Sequence, residues 1–234
     1  MGAITSNIEP KCYIEAVQHE CWRNAMAKEI TALEANQAWT FELLPPGKKP
    51  IDCRCVYKVK RKANGTMDRY KARLFAKGFT QVEGLHFHET FTPIAKLVSI
   101  RVFLSVAAAL GWESHQTDVN NAFSHGDLDE EVYMKLHPGF CTTGKDRVCR
   151  LRKSIYGLQQ ASRNWFNKLT RSLKQYGFTQ SLAEYSLFTY YQDGILMNLL
   201  VYIDDIIPAG NNHVACVKFK HYLHECFHIR TMVL

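Results

Sequence analysis

Leu199-Leu200-Val201-Tyr202-Ile203-Asp204-Asp205-Ile206-Ile207 is the stretch on which the reading of this chain turns. Two adjacent carboxylates sit between two apolar runs, where an ordinary exposed turn would be richer in Gly, Asn or Pro. Short apolar, β-prone runs form strands, which places the pair between strands at 195–203 and 206–209. Putting two like charges beside a hydrophobic sheet is costly, because the anions repel each other and burial strips their hydration. A divalent cation removes that cost, and carboxylate oxygens suit Mg2+. A solvated Asp pair in a turn is the alternative. A third carboxylate on a neighbouring strand would complete the cage. Asp118 is the natural candidate, since it lies near the end of a predicted strand at 112–119. Two ions held there would activate an attacking hydroxyl, orient a triphosphate and stabilise a leaving oxygen.

Outward from this point, helices alternate with antiparallel hairpins. Strands are predicted at 187–191 and 195–203, joined through Asp193-Gly194, with a last helix at 213–227. Ser162 is expected to cap a helix whose apolar positions are Trp165, Leu169, Leu173 and Tyr176. Ser99 is expected to cap another, running to Leu110. A short strand at 132–136 precedes a Pro138-Gly139 turn. Near the start, Ile14, Val17, Cys21 or Trp22, Ala25 or Met26, Ile30 and Leu33 recur every three or four residues, predicting one amphipathic helix preceded by Pro10 and fading at Asn36. Runs at 55–62 and 66–75 flank Ala63-Asn64-Gly65 and predict a β-hairpin. The pattern is that of an α+β fold, an antiparallel sheet with helices on one face.

Charge is distributed unevenly. The 234 residues carry a net +7, yet residues 48–77 hold eleven Lys or Arg against Asp52 and Asp68. That stretch therefore carries +9 and the remainder −2, so the basicity belongs to the predicted hairpin. A local basic surface fits a polyanion, either nucleic acid or nucleotide phosphates; a solvated hairpin with a positive face is the plain alternative. The longest apolar runs are too short to span a bilayer, and residues 1–7 show no secretory leader, so an intracellular protein without a membrane partner is expected. Eight cysteines form no spaced framework beyond Cys53-Arg54-Cys55, and scattered reduced thiols are expected. His213, His221, His224 and His228 share a predicted helix but no paired ligand motif.

Tyr202-Ile203-Asp204-Asp205 resembles the Y-x-D-D box of reverse transcriptases, and Asp118-Val119-Asn120-Asn121-Ala122-Phe123 resembles the D-V-x-x-A-F/Y box that precedes it. More narrowly, the chain is similar to the polymerase domain of Ty1/copia-type LTR retrotransposons. Matching stretches are Trp22-Arg23-Asn24-Ala25-Met26, Val56-Tyr57-Lys58-Val59-Lys60, Tyr70-Lys71-Ala72-Arg73-Leu74, Ala76-Lys77-Gly78-Phe79, Glu89-Thr90-Phe91-Thr92-Pro93, Glu131-Val132-Tyr133-Met134 and Tyr156-Gly157-Leu158-Gln159-Gln160.

The resemblance implies an RNA-directed DNA polymerase with right-hand architecture. A tail at 1–12 would precede a domain at 13–234, with fingers mainly at 37–98 and palm mainly at 99–234. It implies Asp118, Asp204 and Asp205 as metal carboxylates for two Mg2+ ions, with Mn2+ as a substitute. It further implies Phe123 as a steric gate against the ribose 2′-hydroxyl, Gln160 beside the incoming nucleotide, and Tyr202 near the primer terminus. Lys71 and Lys77 would hold the triphosphate, with Arg73 in their place if the register slips. The partners would be a template with primer and dNTPs, and the setting a cytoplasmic particle or the nucleus.

Departures from the family pattern are Cys55 for a usual Trp, Ser124 for a usual Leu and Gln159 for a usual Lys. The end at 230–234 departs from the expected Lys-Asp-Leu-Gly-like stretch, so the thumb is expected to be largely missing. Ser124 and the missing C-terminal part favour the other reading, a decayed, non-catalytic fragment that at most binds nucleic acid, while the intact Asp118, Asp204 and Asp205 favour the enzyme.

Overall fold

A computed structural model describes residues 9–138 and 147–233. The expected tail at 1–12 lies outside them up to residue 8, as does Gly139 of the expected Pro138-Gly139 turn. Along the chain run α1 (Tyr13–Ala16), α2 (Glu20–Ala35), β1 (Trp39–Leu43), β2 (Cys53–Arg61), β3 (Met67–Ala76), α3 (Leu97–Ala109), β4 (Glu113–Val119), β5 (Tyr133–Met134), β6 (Arg147–Leu151), α4 (Ala161–Tyr176), β7 (Thr179–Gln180), β8 (Leu187–Gln192), β9 (Ile195–Tyr202), β10 (Asp205–Gly210), α5 (His213–Phe227) and β11 (Ile229–Val233). They fall into two compact units, each assembled from separated stretches: 1–89 with 127–161, and 90–126 with 162–234.

In the first unit, β2 and β3 form the expected hairpin, in antiparallel register from Cys53↔Ala76 to Arg61↔Met67. Its turn is held by Lys62 N–H on Thr66 O at 2.9 Å, and Gly65 supplies the positive φ of +81° that the bend needs. Strand alternation sends Cys55, Tyr57, Ala72, Leu74 and Ala76 inward. There Trp22 of α2 meets Tyr57 and Tyr70 edge-on, with ring centroids 5.5 and 4.7 Å apart. A second small sheet has the order β1-β6-β5. The single helix predicted between Pro10 and Asn36 is two helices. Arg23 Nη1 donates to Val17 O at 2.8 Å where α1 ends, and Ile14, its expected first apolar position, is exposed.

The second unit is built on a six-stranded sheet in the order β11-β4-β10-β9-β8-β7, with all five strand pairs antiparallel. One face carries Val119, Phe188, Met197, Leu199, Val201 and Ile206, packed against Leu169 and Leu173 of α4 and Phe219, Leu223 and Phe227 of α5. Each large apolar side chain removed from water there stabilises the fold by about 1.5–3 kcal/mol. On the opposite face Leu200 and Ile207 pack against Ile100, Phe103 and Leu104 of α3. Helices thus cover both faces, not one as expected. A half-apolar strand such as β9 does not reveal from sequence which helix faces which side.

Two expected helix caps are also corrected. Helix α3 begins at Leu97, and Ser99, inside its first turn, donates to Glu184 Oε2 at 2.6 Å. Helix α4 begins at Ala161, so Ser162 lies within it. The Ser99 hydroxyl is claimed by a carboxylate distant in sequence, and Ser162 sits one residue inside its helix.

Candidate active site

The strand register brings the acidic residues of the second unit together. Asp205, the first residue of β10, is paired directly with Asp118 of β4 and with Tyr202 of β9. Cross-strand partners point to the same face, so Asp118, Asp205 and Tyr202 form a row across three strands. This is the face that carries α3 further along the sheet. All three acidic residues are half-buried, while Tyr202 is exposed. The desolvation cost anticipated from sequence is therefore smaller than for fully buried carboxylates. Repulsion between directly opposed like charges remains, at roughly 0.2–1 kcal/mol.

Ile203-Asp204 forms the two-residue turn between Tyr202 and Asp205. Ile203 has φ +58°, a left-handed conformation that costs a β-branched residue about 1–3 kcal/mol. Three hydrogen bonds surround the turn. Trp165 Nε1 donates to Ile203 O at 2.8 Å, Val119 N–H donates to Asp204 O at 3.1 Å, and Gln116 Nε2 donates to Asp205 Oδ1 at 3.0 Å. Gln116, two residues before Asp118, shares its face. Sequence reading missed Gln116 altogether and took Trp165 only as a core position. The one available signal was the period of two that puts residues 116 and 118 on one side.

After β4 the chain turns through Asn121, at φ +51°, into a 3-10 turn at Ala122–His125. Phe123 there is half-buried and packs against the α4–α5 core. Ser124 is buried, and its Oγ donates to Asn121 O at 2.7 Å, which satisfies the hydroxyl that looked out of place in a core position.

The basic residues lie on the first unit. Arg54, Lys58, Lys60, Arg69 and Lys71 share the outward face of the β2–β3 hairpin, with Lys58 opposite Lys71 and Lys60 opposite Arg69. Lys58 is paired with Glu9 at 2.8 Å, and Lys77 with Asp52 at 3.6 Å. Arg73 is committed to the fold. It forms an ion pair with the buried Glu29 of α2, and its guanidinium lies 5.6 Å from the centre of the Tyr156 ring. Glu29, a charge on the buried face of a helix, had no sequence signal of its own.

Gln160 is fully buried. Its Oε1 accepts from Gln81 Nε2 and its Nε2 donates to His86 O, both at 3.1 Å. Just before it, Gly157 takes φ +91°, and a Cβ there would come within 2.1 Å of Ala76 O. The Tyr156–Gln160 stretch therefore locks against the end of β3, and glycine is required for that approach.

Among the described residues, no three or more His, Cys, Asp or Glu side chains form a ready-made cage for a metal ion. Burial pushes the Cys53 thiol up to about 11 and Cys55 up to about 12, which disfavours the thiolate a metal would need. At the two ends of α5, His213 pairs with Glu113, and the His224 ring lies 6.1 Å from that of His228, just past the helix. No helix in the described residues is long and apolar enough to cross a membrane.

Comparison with known proteins identifies the family. Residues 36–233 match the family model described as reverse transcriptase (RNA-dependent DNA polymerase). The chain is 43% identical over 223 residues to the retrovirus-related Pol polyprotein from transposon RE2 of Arabidopsis thaliana, covering 94% of this chain and 15% of that polyprotein. It is 37% identical over 234 residues to the corresponding polyprotein from transposon TNT 1-94 of Nicotiana tabacum, covering 98% of this chain and 18% of that one. It is 26% identical over 215 residues to the transposon Ty1-BL Gag-Pol polyprotein of Saccharomyces cerevisiae, covering 90% of this chain and 11% of that one. The chain thus spans less than a fifth of the length of each of these relatives. With the paired carboxylates, the matched model and these identities together, the chain belongs to the reverse transcriptase family, beside the copia-type Pol polyproteins.

Proposed function

We propose that the chain is a nucleotidyl-transfer domain that extends a primer 3′-hydroxyl with dNTPs on an RNA template. The observation that carries this reading is the direct cross-strand pairing of Asp205 with Asp118, beside the turn that holds Asp204. Half-buried, all-oxygen donors on one open sheet face fit Mg2+, which takes one or two protein carboxylates and completes its shell with water and substrate phosphates. An open site of this kind needs no closed protein cage. Ions held by Asp118, Asp204 and Asp205 would supply charge neutralisation at the reacting phosphate and activation of the hydroxyl.

The chain's own residues do the rest. Gln116 occupies one oxygen of Asp205, so Asp205 contributes least directly to metal binding. Tyr202, exposed on the same face, supports the primer end. Phe123 places its ring where a 2′-hydroxyl would collide with it, while its other side packs on the core. In the fingers, taken as residues 37–98, Lys71 and the outward hairpin cations attract the triphosphate and the template backbone. The run of cations along that face fits a polyanionic partner held through its phosphates. Arg73 has a structural role through Glu29. Gln160, with both ends of its amide engaged, shapes the segment at 78–86 and acts on the nucleotide through it.

Primer extension on poly(rA) with oligo(dT), Mg2+ and dTTP tests the reading. Extension that depends on the metal is expected. Folded protein that binds the template–primer in a salt-sensitive manner but never extends it would replace the enzyme with a nucleic-acid-binding remnant.

A further inference from the structure

The indole of Trp165 does more than fill space. Its ring is 1% exposed in the core between the sheet and helices α4 and α5, and its N–H, which can only donate, ends on Ile203 O at 2.8 Å. Ile203 is the residue whose φ of +58° makes the bend between Tyr202 and Asp204. A β-branched residue stays in that conformation only where its surroundings impose it.

The surroundings of the indole are rigid. Phe227 meets its ring edge-on with centroids 5.1 Å apart, and His125 lies at 6.0 Å. The backbone at Gly126 runs so close to α4 that a Cβ there would come within 2.8 Å of Trp165 N. From the other side Val119 N–H holds Asp204 O. The carbonyls of both turn residues are thus gripped, one by α4 and one by β4.

We propose that Trp165 is a positioning residue for the acidic turn: its indole N–H, through the Ile203 carbonyl, imposes the left-handed bend that aims Asp204 and Asp205. The metal part of this inference rests on the function proposed above; the bend itself does not.

Trp165→Phe keeps an aromatic ring and removes the donor, and Ile203→Gly removes the strain that the donor opposes. Hydrogen exchange at the Val119 amide reads the turn without any metal, and Mn2+ binding followed by electron paramagnetic resonance on protein free of nucleic acid reads the carboxylates. Loss of one buried hydrogen bond is expected to speed Val119 exchange about tenfold in Trp165→Phe and to weaken Mn2+ binding by a similar factor. Adding Ile203→Gly is expected to restore both, which a role in packing alone does not explain. Unchanged Val119 exchange in Trp165→Phe, or no recovery in the double variant, overturns the proposal. If the exchange pattern appears but the unaltered protein binds no Mn2+, the positioning role stands and the metal reading fails. Should Trp165→Phe not fold, the unaltered chain decides. A Trp165 indole proton that exchanges as fast as an exposed one overturns the proposal. A protected one broadened by Mn2+ supports it.

Discussion

Asp205 faces Asp118 across the β10–β4 pair, with the two side chains on the same side of the sheet. A fold gains nothing from two directly opposed anions, so their removal separates stability from function. Asp118→Asn and Asp204→Asn are expected to reduce extension by roughly 10²–10³-fold or more, as for loss of preorganised charge in other active sites. Asp118→Asn is also expected to raise stability slightly, by roughly 0.2–1 kcal/mol. Thermal melts alongside primer extension check both; a variant that extends at the original rate would refute the metal assignment.

Phe123 is expected to set sugar selection. Phe123→Val shortens the side chain while leaving an apolar contact on the core, and incorporation of ribonucleotides is expected to rise about tenfold or more, the scale of a contact of 1–3 kcal/mol. Competition between dTTP and UTP measures it, and an unchanged ratio removes the gate role.

Lys71 is expected to act on the nucleotide. Lys71→Ala should raise the dNTP KM about tenfold, the loss of one charge-assisted contact. If template affinity falls and KM does not, the residue belongs to the nucleic-acid surface instead.

Arg73 and Glu29 make a different prediction. Arg73→Ala leaves a carboxylate stranded in the interior and is expected to cost about 3–5 kcal/mol, whereas replacing both partners with Met is expected to cost much less. Urea unfolding of the two variants decides. If Arg73→Ala is as stable as the parent and loses only nucleotide affinity, Arg73 is a triphosphate ligand after all.

Acid stability is expected to depend on Glu184. Hydroxyls of Ser186 and Ser99 hold its carboxyl below the usual 4.5. With the folded value below the unfolded one, this stabilisation is fully present above the unfolded value and is lost as the pH falls through the folded value. Ser186→Ala is expected to lower the melting temperature near neutral pH and to flatten its fall below about pH 4.5. Parallel melting curves for variant and parent would contradict that linkage.

Much of the site was legible because it is local. A hairpin at Asn64-Gly65, an acidic pair between apolar runs and a helix at His213–Phe227 are written in residue types at short spacing, and each is present. Ser99 and Ser162 misled for the same reason: a cap is a local rule, and Glu184 lies far along the chain from the Ser99 hydroxyl it accepts. The charge pattern announced a basic face, but it did not show that Arg73 turns away to Glu29 while its strand neighbours stay outward.

By itself the sequence determined which residue types carry chemistry and which segments become strands, since both follow from side-chain chemistry and from periodicity along the chain. Only the tertiary structure decided that Asp118 stands opposite Asp205, that Gln116 and Trp165 grip the turn, and that α3 lies on the face opposite α4 and α5. Register between strands and the packing of a helix on one sheet face are set by contacts between residues distant in sequence, where no spacing rule reaches.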